Sequence, residues 1–289
     1  MEKIGFIGLG IMGKPMALNL LKAGYPVYIL SSSHSANEVH QAGAVLCASG
    51  KEMASQVDII ITMLPDSPEV EMVLSGPDGI LPVMRAGQLF IDMSTISPLV
   101  TKQIYMRLKE KKIDALDAPV SGGQVGAEAA TLSIMVGGDS TSFEKALPIF
   151  QAMGKNIVHI GEAGAGQITK ACNQMIVGMT IQAVAEAFTL ASKAGVDVVK
   201  MREVLLGGFA QSKILDLHGK RIIDRNFKPG FKIKLHKKDL DIALITGERY
   251  GVSMAGTSQV AAQMKKAVAA GNGELDHSAL VKLLDDSIR

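Results

Sequence analysis

Over its first half the chain alternates short apolar runs, rich in β-branched residues, with amphipathic stretches. Residues 3–8 predict a strand, and residues 11–23 a helix ended by Gly24. Residues 26–31 predict the second strand, followed by a helix over 36–42 that stops at Gly43. Further strands are predicted at 59–63, 89–93 and 113–118, and segments 131–137 and 157–160 close this half. Strands separated by helical segments imply right-handed βαβ crossovers and a parallel sheet covered on both faces.

Beyond Gly166 the strand signals vanish. From Gln167 to about Lys193 there is no proline and no turn cluster, which predicts a helix longer than the globular mean. Its apolar face is expected to run through Ile168, Ala171, Cys172, Met175, Ile176, Met179 and Ala183. More helices follow, broken at Gly207-Gly208, Lys228-Pro229-Gly230, Gly251 and near Gly271 and Gly273. The predicted fold is α/β: a doubly wound Rossmann domain over residues 1–162, then an all-α domain over 163–289 hung on a long inter-domain helix.

Composition narrows the function. A net charge of +2 from 30 basic and 28 acidic residues, with aromatics at 4% and no Trp, speaks against a nucleic-acid surface. No stretch near twenty residues lacks charges and polar breaks, so no membrane span is expected. The opening Met1-Glu2-Lys3-Ile4 runs into a strand rather than a signal sequence, and the expectation is a cytoplasmic protein. Cys47 and Cys172 are expected to be reduced and structural. The six histidines show no metal-ligand spacing, so no metal is expected.

Gly8-Leu9-Gly10-Ile11-Met12-Gly13 fits G-x-G-x-x-G directly after a predicted strand and before a predicted helix. Gly8 permits the tight turn, Gly10 lets backbone approach a pyrophosphate, and Gly13 lets the helix sit close to the strand. Helix N–H groups then meet the phosphates, so a nicotinamide dinucleotide is the expected cofactor. An acidic residue ending the second strand would select NADH over NADPH. Ser31-Ser32-Ser33-His34 stands there instead, tilting the expectation towards NADPH while leaving NADH open. Met63, Leu64 and Pro65, and Ser94 with Thr95, also follow strands at the edge where such sheets bind ligands. Ser94 or Thr95 could equally cap the helix before Pro98.

Asp117-Ala118-Pro119-Val120-Ser121-Gly122-Gly123 ends a strand with a hydroxyl and two glycines, which suits a backbone anion site. Gly164-Ala165-Gly166 opens the long helix, where Lys170 shares one face with Asn173 and Gln174. A cation this near a helix N-terminus opposes the dipole, which marks Lys170 as a candidate for chemistry.

The segment from Phe6 to Leu20, the loop from Asp117 to Gly123, the segment from Gly164 to Asn173, and Lys237-Lys238-Asp239-Leu240 resemble four motifs of one family. They stand in the order found in the 3-hydroxyisobutyrate dehydrogenase (β-hydroxyacid dehydrogenase) family. The stretches Ile61-Thr62-Met63-Leu64-Pro65, Gly207-Gly208-Phe209-Ala210, Asp224-Arg225-Asn226-Phe227-Lys228-Pro229-Gly230-Phe231 and Leu275-Asp276-His277-Ser278-Ala279 are most similar to its tartronate semialdehyde-reducing branch. The resemblance implies NADPH- or NADH-dependent reduction of a small carboxylated aldehyde, with Lys170 as proton donor. It implies that Asn173 orients the substrate, that Ser121, Gly122 and Gly123 hold its carboxylate, and that Thr95 and Lys238 contact the cofactor. A homodimer or homotetramer is expected. Oxidation of 3-hydroxyisobutyrate and reduction of succinic semialdehyde or glyoxylate remain alternatives.

Overall fold

A computed structural model describes residues 1–284. The last five positions of the predicted second domain lie outside the described residues. By compactness the chain divides into two units inside the long helix, between Lys170 and Ala171.

The first unit is built on one sheet, with strands β1 (Ile4–Ile7), β2 (Val27–Leu30), β3 (Val45–Cys47), β4 (Ile59–Thr62), β5 (Leu89–Asp92), β6 (Asp114–Asp117), β7 (Val120–Ser121), β8 (Leu132–Gly138) and β9 (Gly154–Gly161). Their order is β3-β2-β1-β4-β5-β6-β8-β7, and β9 pairs with β8. The first six strands pair in parallel, whereas β8 runs antiparallel to β6 and β7. The expected parallel sheet is therefore mixed at its far side. Helices α1 (Gly13–Lys22), α2 (Ala36–Gln41), α3 (Gly50–Gln56), α4 (Ser67–Ser75), α5 (Pro98–Glu110), α6 (Gly123–Glu128) and α7 (Ser140–Gln151) fill the connections. The sequence pattern sets no bounds for β3, β7 or helices α3 to α7; the shortest of these hold too few residues to show a period.

Continuous apolar strands are explained by a core on each face of the sheet. Ile59, Ile61, Leu89 and Ile91 join one core, and their neighbours Ile60 and Phe90 join the other. Each such side chain, removed from water, contributes on the order of 1.5–3 kcal/mol.

Helix α8 (Ala165–Lys193) starts in the first unit and continues into the second. By length and composition it could cross a membrane, contrary to the expectation from the sequence. A third of its most apolar window is buried within the chain (33%). Its scattered polar residues hide a composition dominated by Ala, Gly, Met, Ile and Val. The predicted apolar face is also displaced: Ile176 and Cys172 are exposed, whereas Gln167, Lys170 and Gln174 are buried. Polar side chains occupy the inner face because each has partners there. Cys47 is buried, but exposed Cys172 is not a core residue as expected.

The second unit continues with α9 (Val198–Leu206), α10 (Lys213–Ile223), α11 (Ile233–Arg249) and α12 (Ala255–Ala267), closed by a 3-10 segment, His277–Leu283. Ile181, Leu240, Val260 and Met264 form one of its cores, and Phe188, Leu215 and Ile222 another.

Beneath the carboxyl edge of the sheet, Asp92 is fully buried. Its Oδ1 accepts from the Thr62 hydroxyl at 2.8 Å and from the Ser94 N–H at 3.0 Å. Its Oδ2 and the Thr101 hydroxyl have no hydrogen-bond partner among the described residues. Both residues line a cavity of about 10 Å³, about the room one water needs. Burial raises the Asp92 pKa from 3.8 to about 6, against the pull of its Ser94 and Thr62 hydrogen bonds. A carboxyl whose folded pKa is raised binds more protons folded than unfolded, so its charge costs stability at high pH. The cost is fully present above about pH 6 and disappears as pH falls towards 3.8. Asp92→Asn, which removes the charge and keeps the shape, should therefore melt higher than wild type at pH 8, by up to about 3 kcal/mol. The gap should close by about pH 4; a variant less stable than wild type at pH 8 contradicts this account.

Candidate active site

The glycine loop follows β1 and leads into α1. Gly8 has φ +105°, and a Cβ there would lie 2.2 Å from the Met63 carbonyl oxygen. A Cβ on Gly13 would lie 1.8 Å from the Gly8 carbonyl oxygen. The two positions accept only glycine, for the turn and for the close helix. Gly10 faces open space, with nothing within 4 Å of an added Cβ. Gly8, Leu9, Gly10 and Ile11 line a cavity of about 610 Å³, large enough for a dinucleotide's pyrophosphate and ribose. The donors and the room fit such a cofactor.

The far side of this cavity is formed by Ser33, His34, Ser35 and Glu38, with Lys14 of α1 paired to Glu38 at 2.9 Å. The sequence reading covered Ser31 to His34, of which Ser33 and His34 line the cavity and Ser31 is an exposed residue just past β2; it missed Lys14, Ser35 and Glu38. Their proximity depends on how α2 packs beside α1, which the spacing along the chain does not show.

Leu64 and Ser94 meet at the carboxyl edge. The Leu64 N–H donates to Ser94 Oγ at 2.9 Å, joining the two loops predicted to border the cofactor. Ser94 is not the cap of α5; Ser97 takes that role, accepting from the Leu99 N–H. Pro65 and Thr95 lie beside these residues, and Thr95 is half-buried.

Asp117 ends β6 inside the protein. Its carboxylate accepts from the Gly164 N–H at 2.7 Å and the Gln167 N–H at 2.8 Å, two of the unpaired donors that open α8. Burial pushes its pKa up, while the N–H groups of Gly164, Gln167 and Gly166 pull it back. Gln167 donates to the Ser94 carbonyl at 2.8 Å and accepts from the Ile96 N–H at 3.1 Å. Neither role is visible from periodicity; a lone acid in an apolar strand and a glutamine on a buried helix face are the only signals. Lys170 follows one turn later and is 7% exposed, too buried for a lysine that merely solvates a surface.

Ser121 ends β7 and is half-buried. Gly122, with φ +131°, and Gly123, with φ +62°, carry the chain into α6. A Cβ on Gly122 would lie 3.3 Å from Leu132 Cδ2, so that position is both left-handed and crowded.

In the second unit, Asn173 Nδ2 donates to Gln174 Oε1 at 2.7 Å, and Gln174 Nε2 donates to Asp239 Oδ2 at 2.6 Å. Lys238 Nζ lies 3.0 Å from Asp239 Oδ1. Two predicted site residues, Asn173 and Lys238, thus belong to one polar chain, and Asp239 is the member that sequence reasoning passed over.

Folding also gathers histidines that chain spacing kept apart. Ligand atoms of His218, Asp276 and His277 lie within 4.8 Å of one another. Asp276 accepts from the N–H groups of Gly230, Phe231 and Ser278 and from the Ser278 hydroxyl, with Arg221 at 3.6 Å. His277 Nε2 lies 3.2 Å from His218 Nε2, and its Nδ1 lies 2.9 Å from His236 Nδ1. Burial holds the His277 pKa well below the ordinary histidine value. Burial pushes Asp276 up, and its His218, His277 and Ser278 contacts more than offset this, keeping it ionised. The group reads as a polar latch between the loop at Gly230 and the closing 3-10 segment.

Residues 3–161 match the family model described as the NAD-binding domain of 6-phosphogluconate dehydrogenase. Residues 164–284 match the model described as the NAD-binding domain of NADP-dependent 3-hydroxyisobutyrate dehydrogenase. The chain is 47% identical to 2-hydroxy-3-oxopropionate reductase of Escherichia coli, over 98% of this chain and 97% of that protein. It is 40% identical to 2-(hydroxymethyl)glutarate dehydrogenase of Eubacterium barkeri, over 97% and 94%. The solved structure of Mycobacterium tuberculosis 3-hydroxyisobutyrate dehydrogenase with L-serine superimposes with a TM-score of 0.90 at 35% identity, covering 98% of this chain and 99% of that one. With the glycine cavity on the sheet and the lysine helix that follows it, these matches show that the chain belongs to the 3-hydroxyisobutyrate dehydrogenase (β-hydroxyacid dehydrogenase) family of NAD(P)-dependent oxidoreductases.

Proposed function

We propose that this enzyme reduces tartronate semialdehyde (2-hydroxy-3-oxopropionate) to glycerate, with Lys170 as the proton donor. The observation that carries the chemistry is a buried lysine one turn beyond a helix start held by Asp117. The choice of aldehyde rests on the 47% identity to a 2-hydroxy-3-oxopropionate reductase. The bound nicotinamide supplies the hydride. As the aldehyde oxygen gains negative charge, the Lys170 ammonium stabilises it and delivers its proton, acting as electrostatic catalyst and general acid together. Asn173, on the same face of α8, orients the substrate. The Ser121 hydroxyl and the backbone N–H groups of Gly122 and Gly123 take the carboxylate. Lys238 and Thr95 contact the cofactor. A panel of small semialdehydes, assayed with NADH and NADPH, tests the assignment; a higher kcat/KM for the semialdehyde that corresponds to 3-hydroxyisobutyrate, or for succinic semialdehyde, than for tartronate semialdehyde overturns it.

Lys170→Ala should bind the cofactor nearly normally and lose turnover by about 10²–10⁴-fold, the usual worth of general acid catalysis. Near-normal kcat at neutral pH would remove Lys170 from the mechanism.

For the carboxylate site, Gly122→Val should be severe, since a β-branched side chain meets both the positive φ and Leu132. Ser121→Ala should lose about 1.5–3 kcal/mol in kcat/KM for the acid, as one hydrogen bond to a charged group. The amide or methyl ester of the substrate should lose little more in that variant. Equal losses for acid and neutral analogue would show that the loop does not select a carboxylate.

Ser31→Asp should shift the ratio of kcat/KM towards NADH, by repelling a 2′-phosphate and accepting from a 2′-hydroxyl. An unchanged ratio would move the ribose contact to the stretch from Ser33 to Glu38.

A further inference from the structure

Ser94 is fully buried, and all three of its polar groups are engaged. Its N–H donates to Asp92, its hydroxyl accepts from the Leu64 N–H, and its carbonyl accepts from Gln167 Nε2. Gln167, 1% exposed, uses both ends of its side-chain amide: Nε2 on the Ser94 carbonyl and Oε1 on the Ile96 N–H. The amide thereby pairs with residues 94 and 96 as a single residue of a neighbouring strand would, and pins the backbone on both sides of Thr95. Its own backbone N–H is held by Asp117. Neither Ser94 nor Ile96 is open to water (0% and 1% exposed), so no solvent molecule from bulk can take over either bond. Lys170 lies three residues after Gln167, on the same side of the helix. One side chain and one helical turn therefore separate the loop at Thr95 from the lysine, and the Ser94 hydroxyl extends the link to the loop at Met63.

We propose that Gln167 and Ser94 are positioning residues, holding the loop at Leu64, the loop at Thr95 and the opening turns of α8 as one clamp that fixes the bound cofactor relative to Lys170. The proposal rests on the dinucleotide site and the lysine assigned above, but not on which aldehyde is reduced. Both residues act through backbone they hold rather than by touching the reacting atoms.

The distinguishing variant is Gln167→Glu. It keeps the size of the side chain and an acceptor for the Ile96 N–H, but donates to the Ser94 carbonyl only when the introduced carboxyl is protonated. Burial raises such a carboxyl's pKa, bringing its protonation into an accessible range. The measurement is cofactor Kd by fluorescence titration with NADH and NADPH, which needs no aldehyde, together with kcat. Relative to wild type at the same pH, Gln167→Glu should bind about 10-fold more weakly near pH 8.5, with kcat depressed, the scale of one lost buried hydrogen bond. Near pH 5.5 the ratio should return to within about 2-fold as the donor is restored. Ser94→Ala should weaken binding by about 5–10-fold at both pH values, with a melting temperature within a few degrees of wild type. A merely structural Gln167 would give a loss independent of pH, and that result overturns the proposal. Normal cofactor binding by folded Ser94→Ala overturns it as well, and decides the matter if Gln167→Glu does not fold. Should wild type bind the cofactor yet reduce none of the aldehydes, the substrate assignment fails and the clamp is still judged by Kd. Should wild type bind neither cofactor, both readings fall together.

Discussion

A single buried carboxylate ties the sheet to the helix that bears Lys170. Asp117 leaves the end of β6 and accepts the N–H groups that open α8, so the helix bearing Lys170 starts from a fixed point on the sheet. An isolated buried carboxylate would cost several kcal/mol. Here the positive end of a 29-residue helix and two direct hydrogen bonds offset part of that cost. The joint is close-packed on all sides. A Cβ on Gly137 would lie 2.5 Å from one Asp117 oxygen, and one on Gly166 would lie 2.8 Å from the other. Two glycines far apart in sequence thus pack against the same carboxyl group, Gly166 also against the Met135 carbonyl at 2.3 Å from its added Cβ.

From this joint the polar interior spreads along the carboxyl edge. Gln167 carries it to the backbone around Thr95, Ser94 carries it to Leu64, and Asp92 ties Ser94 to the end of β4 through Thr62. Gln167, Ser94, Asp92 and Thr62 are buried and Leu64 half-buried, so an unpaired partner in this low-dielectric setting is costly. Further along α8 a separate chain links Asn173, Gln174, Asp239 and Lys238. One helix therefore holds catalytic and cofactor candidates through polar contacts on its inner face. It leaves apolar residues such as Ile176 and Leu190 outside, while Ile181, Ala185 and Phe188 stay buried.

The alternation of β-branched runs with amphipathic stretches, and the glycines at 8, 10 and 13, by themselves determined most of the parallel strands, the first crossovers and the cofactor loop. They could do so because turn geometry and strand burial are local properties, written in neighbouring residues. The candidate status of Lys170 was also legible, since a cation near a helix start opposes the dipole. Lys238 was legible only through family resemblance. The antiparallel placement of β8, the inward turn of Gln167, Lys170 and Gln174, the carboxyl clamp at Asp117, the approach of Glu38 to Lys14 and the gathering of His218 with Asp276 and His277 were decided by tertiary structure alone. Each depends on partners tens of residues away. A polar side chain becomes an inside residue only when such a partner meets its hydrogen bonds, and no pattern along the chain records that meeting.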